Sequence, residues 1–433
     1  MNENTDPQSL REIFKQKFQF LFKKGFFHIF GSELLSKIIR FGSSVIIVNI
    51  LSKNLYGSYS YANNILLFFL LLSGLGVQTA ILQFCSEKEL LREKLPFLKY
   101  GLKIGLITNG FISVSILIFT LFFNLPVKGS RDILFYLALI PLLTICYEII
   151  ASFLRAHLRN REFSYVKISF TSLYFIGVLV GGSYFKIAGI IFSYYLALTV
   201  SVILGMWFLF REVKTEKKVS FPVKKEKLEF VKFALIAALT NSISQILYLL
   251  DIFFIGIIIQ SEAAVASYKV AVIIPFALNF IPSSIMMFVY PYFAKNIRDT
   301  RKLKRYFNEL QKYLLILNTG ISLFLIVFAP VLLNFLYKGQ YPDAVLPFRI
   351  LSFGFLVAAT FRIPAGNVLA SVRKVNVNLV TSTLSGILNI ALNIILIKKL
   401  GSLGAAYATV SVLIFSSILS NVYLRHYFKR NIG

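Results

Sequence analysis

The chain has 433 residues, 57% of them hydrophobic and only 15% charged, with a mean hydropathy of +0.73. A soluble domain carries about a quarter charged residues, so a soluble globular fold is excluded. The net charge of +27 would suit nucleic acid, but the basic residues sit at the ends of apolar stretches, where topology and anionic headgroups account for them. No nucleic-acid partner is expected.

Residues 1–25 are polar and basic and lead into a full-length apolar stretch, so no cleavable signal is expected. A spanning helix needs ~20 apolar residues. Twelve stretches of that length run at 26–51, 58–84, 100–125, 132–155, 164–184, 187–210, 230–259, 263–294, 310–337, 345–370, 376–397 and 402–424. Basic residues crowd every second gap. They are Lys88, Arg92, Lys94 and Lys99 after the second stretch, Arg155, Arg159 and Arg161 after the fourth, and Lys214, Lys217, Lys218, Lys224, Lys225 and Lys227 after the sixth. Arg298, Arg301, Lys302, Lys304 and Arg305 follow the eighth, and Arg373 and Lys374 the tenth. Cytoplasmic loops retain positive charge and translocated loops do not. The prediction is an all-α polytopic membrane protein with twelve transmembrane helices and both termini in the cytoplasm.

The longest linker is 211–229. It is charged, contains Pro222 and falls at the midpoint, which predicts two six-helix bundles around a central cavity, at 1–210 and 230–433. Six spans per half make the halves parallel repeats about an axis along the membrane normal. Two echoes support that. A small-Ser-Tyr-x-x-Ala pattern recurs at 57–62 and 266–271, and Lys186-Ile187-Ala188-Gly189 is echoed by Gly401-Ser402-Leu403-Gly404.

These turns resemble the oligosaccharide flippase family, the Wzx-type polysaccharide exporters of the multidrug/oligosaccharidyl-lipid/polysaccharide superfamily. The resemblance rests on Leu55-Tyr56-Gly57-Ser58-Tyr59 and Ser73-Gly74-Leu75-Gly76 in the first half. In the second it rests on Leu250-Asp251-Ile252-Phe253, Leu333-Asn334-Phe335-Leu336-Tyr337 and Gly401-Ser402-Leu403-Gly404. It implies a flippase for polyprenyl-diphosphate-linked oligosaccharide in the bacterial inner membrane, serving O-antigen, capsule or exopolysaccharide export. The alternative within the superfamily is a cation-coupled multidrug exporter. Relatives that flip the peptidoglycan precursor usually have fourteen spans, against twelve counted here.

Ionisable residues inside a bilayer are costly and usually face a cavity or a partner. Glu33, Lys37 and Arg40 follow i, i+4, i+7 spacing and share one stripe of the first span. Either they form the cationic wall of a cavity, or Glu33 pairs with Lys37 and Arg40 bonds to carbonyls. A guanidinium there suits a phosphate. Arg362, beside Pro364 and Gly366, is a second candidate. Lys269 and Arg349 lie nearer span ends, where snorkelling competes with a cavity role. Those five cations are the ones the loop pattern leaves inside the spans. Asp251 is expected to pair with Lys269 or another cation, or to bind a coupling H⁺ or Na⁺. Glu148 has no evident partner. Asn63 and Asn64 offer hydrogen bonds to sugars or to neighbouring helices, and Pro275 and Pro282 predict a kink in the eighth span.

His28, His157 and His426 lack metal-ligand spacing, and neither a metal nor a cofactor is expected. A glycan polymerase or ligase needs a positioned acid or base on a substantial loop. The short external loops offer only Asp132, Glu262 and Asp343, so no catalytic residue and no enzymatic reaction are expected.

Overall fold

A computed structural model describes residues 26–213, 223–296 and 299–432. The polar N-terminal segment, most of the expected linker with Lys214, Lys217, Lys218 and Pro222, and Arg298 lie outside the described residues. The helices are α1 (Phe26–Ile50), α2 (Lys53–Leu70), α3 (Val77–Ser86), α4 (Leu91–Phe122), α5 (Ser130–Leu137), α6 (Ile140–Ala156), α7 (Asn160–Val213) and α8 (Lys224–Ile259). They continue as α9 (Glu262–Ala277), α10 (Phe280–Lys295), α11 (Thr300–Tyr337), α12 (Val345–Val357), α13 (Ile363–Ser371), α14 (Val375–Leu400) and α15 (Ser402–Ile432). The fold is all-α, and apolar side chains such as Phe111, Phe122, Ile203, Val327 and Phe335 face outward, as a lipid-facing surface requires.

Among the described residues, seven helices are long and apolar enough to cross a membrane, or nine if each bent pair is one span. Physical features separate this count from twelve. The long helix α7 is in fact a hairpin. Lys186 adopts φ 51°, ψ −125°, and a Cβ on Gly189 would lie 1.9 Å from the Gly181 carbonyl oxygen, so the segments on either side of the turn run antiparallel in backbone contact. In addition, α1 and α8 carry charged and amide side chains that lower their hydropathy.

Two spans expected to be continuous are broken. Between α2 and α3, at a bend of 40°, Gly74, Leu75 and Gly76 all have positive φ. Gly76 is required here, because its Cα approaches the Ala234 carbonyl of α8 so closely that a Cβ would lie 2.2 Å from that oxygen. The freed backbone groups find side-chain partners. Asn109 Oδ1 accepts from Gly74 N (2.6 Å), and Asn109 Nδ2 donates to Ser73 Oγ and to the Pro141 carbonyl. Ser242 Oγ donates to the Leu71 carbonyl (2.6 Å). Irregular backbone within a bilayer is tolerated where protein satisfies it in this way. The second break separates α5 from α6 with a bend of 46°. The eighth span breaks at Leu278–Asn279, beside the expected kink residues Pro275 and Pro282.

The two sequence echoes have structural counterparts. The turn between α14 and α15 repeats the α7 hairpin. Gly401 takes φ 62°, ψ −145°, and a Cβ on Gly404 would lie 2.1 Å from the Leu396 carbonyl oxygen. Ser58 Oγ donates to the Lys128 carbonyl before α5 (2.6 Å), and Ser267 Oγ donates to Asp343 before α12 (2.5 Å).

Candidate functional site

Arg40 stands on the wall between two cavities. The first, about 720 Å³, lies between α1 and the broken pair α9–α10. Lys37, Arg40 and Lys269 line it, with Leu34, Phe41, Ile273, Phe276 and Phe280 among its apolar walls, and among the described residues no acidic one lines it. Lys37 Nζ sits 5.5 Å from the Phe280 ring centroid. None of these three cations has a carboxylate partner among the described residues. Helical spacing explains the placement of Lys37 and Arg40, because α1 packs one face against α7 and turns their shared stripe toward α9.

Glu33 does not join them. It pairs with Lys167 of α7, so neither a Glu33–Lys37 pair nor a free Glu33 exists. Lys167 lies within the expected 164–184 span, as Lys103, Lys232 and Lys312 lie within others. The five cations singled out from the sequence therefore do not exhaust those inside the spans.

The second cavity, about 570 Å³, is enclosed by α1, α2, the Ser73–Gly76 break, α3, α6, α7 and α8. Its polar lining includes Arg40, Asn63, Gln78, Glu148, Asn241 and Gln245, and its aromatic lining is Tyr59, Tyr147, Phe170, Tyr174 and Tyr194. The Arg40 guanidinium lies 5.7 Å from the Phe170 centroid, a cation–π contact. The sequence did not single out this aromatic wall, yet a signal existed. Lys167, Phe170 and Tyr174 follow i, i+3, i+7 spacing on one face of α7.

The remaining candidates lie elsewhere. Asn64 is buried and donates to the Leu249 carbonyl of α8 (3.0 Å), so it ties helices together and lines neither of these two cavities. Arg349 Nε donates to the Ile326 carbonyl of α11 (3.0 Å). That carbonyl is the one Pro330 leaves without its i+4 amide donor, so Arg349 completes a helix. Arg362 ends a π-helical turn, Ala358–Arg362, just before Pro364. It contacts Tyr248 Oη at 3.4 Å, and Tyr248 packs edge-on against Phe276 of the cationic cavity. It is adjacent to that cavity but not on its wall.

Asp251 pairs with no cation among the described residues. It is 2% exposed and accepts from Tyr268 Oη (2.6 Å), Asn393 Nδ2 (3.0 Å), Asn389 Nδ2 (3.5 Å) and Thr409 Oγ1. Four neutral donors from α9, α14 and α15 thus replace the expected ion pair with Lys269. Asn393 Oδ1, beside them, is buried with no partner. Asp343, which the charge pattern predicts to be external, is engaged by Lys53 (2.6 Å) and Ser267. Among the described residues no three His, Cys, Asp or Glu side chains gather in a metal-binding group.

An all-helical chain with several apolar helices long enough to cross a membrane, folded around polar cavities, has the build of a multi-pass membrane protein. The solved structures agree in fold. The chain is similar to an inward-facing multidrug resistance MATE family transporter of the MOP superfamily, with TM-score 0.75, 14% identity, and coverage of 95% of this chain and 99% of that one. It is similar also to the lipid II flippase MurJ in an inward closed conformation, with TM-score 0.70, 17% identity, and coverage of 91% and 86%. A segment of 98 residues is 33% identical to an uncharacterized membrane protein of Methanocaldococcus jannaschii, spanning 23% of this chain and 19% of that relative. The profile of the family described as polysaccharide biosynthesis protein matches residues 22–297. The chain belongs to that family.

Proposed function

We propose that the protein is a flippase that carries polyprenyl-diphosphate-linked oligosaccharide from the cytoplasmic to the outer leaflet of the bacterial inner membrane. The observation that carries this reading is the cavity lined by Lys37, Arg40 and Lys269 with no acid on its wall among the described residues. Three cations in a largely apolar chamber between helices, with Ser44, Asn279 and Ser283 as its other polar lining, suit a ligand with an anionic diphosphate and a lipid tail. Arg40 offers bidentate hydrogen bonding to phosphate oxygens. A cationic drug would meet repulsion there, which counts against the multidrug alternative. No bond of the substrate is broken.

In this proposal the chain crosses the membrane twelve times with both termini cytoplasmic, as two bundles, residues 1–210 and 230–433. One bundle rocks against the other. On the side that the charge pattern makes external, Lys53 pairs with Asp343 across the two halves, and Asn49 Nδ2 donates to the Leu336 carbonyl (2.7 Å). Both contacts would open in the outward state. Asp251, a single carboxylate held by hydroxyl and amide donors with the Asn393 oxygen unused beside it, suits a coupling H⁺ or Na⁺.

The test is export in a deletion strain complemented with Arg40→Glu at normal protein level. Charge reversal is expected to abolish surface polysaccharide, and unchanged export would overturn the proposal.

A further inference from the structure

The second cavity differs in chemistry from the cationic one although Arg40 borders both. One wall is aromatic. Phe170 and Tyr174 lie near-parallel at 6.3 Å, Tyr174 and Tyr194 are 5.4 Å apart, and the Tyr59 and Tyr174 hydroxyls are 3.4 Å apart. Such a wall offers ring faces to the C–H face of a sugar. The opposing polar groups include two acceptors in want of donors. Gln78 Oε1 is buried without a partner, and Glu148 makes no ion pair or hydrogen bond among the described residues. Its volume, about 570 Å³, lies within the ~300–1,000 Å³ of small-molecule sites.

We infer that this cavity is the subsite for the sugar next to the diphosphate, and that Glu148 restricts it to sugars without a carboxylate. The inference rests on the flippase reading. With the diphosphate held by Lys37, Arg40 and Lys269, the attached ring falls on the far side of Arg40, against Tyr174 and Tyr194. Hydroxyl or acetamido N–H groups of that ring donate to Gln78 Oε1 and to the Glu148 carboxylate. A hexuronic acid would set its carboxyl group beside that of Glu148, and two acids sharing one low-dielectric chamber disfavour each other's ionised form. The site therefore takes neutral or N-acetylated rings.

The experiment uses the full-length purified protein in lipid nanodiscs and three probes: farnesyl diphosphate, farnesyl-diphospho-N-acetylglucosamine and farnesyl-diphospho-glucuronic acid. In the wild-type protein the acetamido sugar is expected to bind at least tenfold more tightly than the uronic acid. In Glu148→Gln, which keeps the side chain's shape, the two affinities are expected to converge to within about threefold. In Tyr174→Ala the added affinity of the acetamido sugar over farnesyl diphosphate is expected to fall about tenfold. Equal wild-type affinities for the two sugars, or full discrimination retained in Glu148→Gln, would overturn the subsite while farnesyl diphosphate still binds. If farnesyl diphosphate itself does not bind, or binds as well to Arg40→Gln, the flippase reading fails and the subsite with it.

Discussion

Residues 26–213 and residues 224–432 use the same structural devices around different interiors. Each half turns a hairpin on a residue with positive φ, Lys186 or Gly401. Each has a serine that donates to the turn before a later helix, Ser58 before α5 and Ser267 before α12. Each has an arginine that supplies donors to a preceding helix. Arg131 caps the end of α4 through the Thr120 and Leu121 carbonyls, and Arg349 satisfies Ile326. The interiors diverge. The first half leaves a chamber in which Glu148 has no partner among the described residues, whereas the second closes around Asp251 with four donors. A scaffold can thus be repeated while one copy is hollowed for a ligand and the other is filled with a polar cluster.

The sharpest break of this comparison is at the two acids. Asp251→Leu removes the common acceptor of Tyr268, Thr409, Asn389 and Asn393. Each buried donor left unsatisfied costs about 1–3 kcal/mol, so the variant is expected to lose several kcal/mol and to fail to purify as a monodisperse species on size exclusion. Glu148→Gln removes no intramolecular bond, and its melting temperature in detergent is expected to match the wild type. Equal destabilisation of the two variants would erase the distinction between a filled and a hollow half.

The all-helical membrane class and the cationic stripe were legible because they depend on local spacing. Helical period and loop charge place Lys37 and Arg40 on one face whatever the neighbours are. Partner choice was not legible. Glu33 has Lys37 one turn away on its own helix, yet it reaches across to Lys167, because the α1 stripe faces α7 on one flank and α9 on the other. Asp251 was expected to seek a cation, and hydroxyl and amide groups from three helices satisfy it instead. Nothing in the one-dimensional pattern brings 251, 268, 389, 393 and 409 together. The break at Ser73–Gly76 was visible only as a motif. Its cause is the approach of Gly76 to α8 and the reach of Asn109 from α4, both tertiary.

The two arginines refine the comparison at smaller amplitude. Arg349→Met leaves the Ile326 carbonyl without a donor and is expected to destabilise by about 1–3 kcal/mol. Pro330→Ala supplies an amide hydrogen to the same carbonyl. If Arg349 is there to complete the helix, the double variant should recover most of the loss, and a thermal-shift cycle over the four proteins reads the coupling directly. Additive effects would return Arg349 to the candidate ligands.

The smallest effect is expected at the hairpins, where the halves agree in geometry and differ in residue. Lys186 holds a conformation that suits glycine, with φ 51° and ψ −125°. A non-glycine residue held in such a sparsely populated region carries about 1–3 kcal/mol of strain, while glycine adds about 0.5–1 kcal/mol of backbone entropy. Lys186→Gly should therefore stabilise by about 1 kcal/mol. The reciprocal change, Gly401→Ala, introduces a side chain at φ 62° where no atom obstructs a Cβ within 4 Å. Any loss there reports backbone strain alone. Opposite signs of the two melting-temperature shifts would show that the first half tolerates at Lys186 a strain that Gly401 avoids. A fall in both would mean that the Lys186 side chain, whose Nζ reaches toward the Ile50 carbonyl at 3.5 Å, contributes more than its backbone costs.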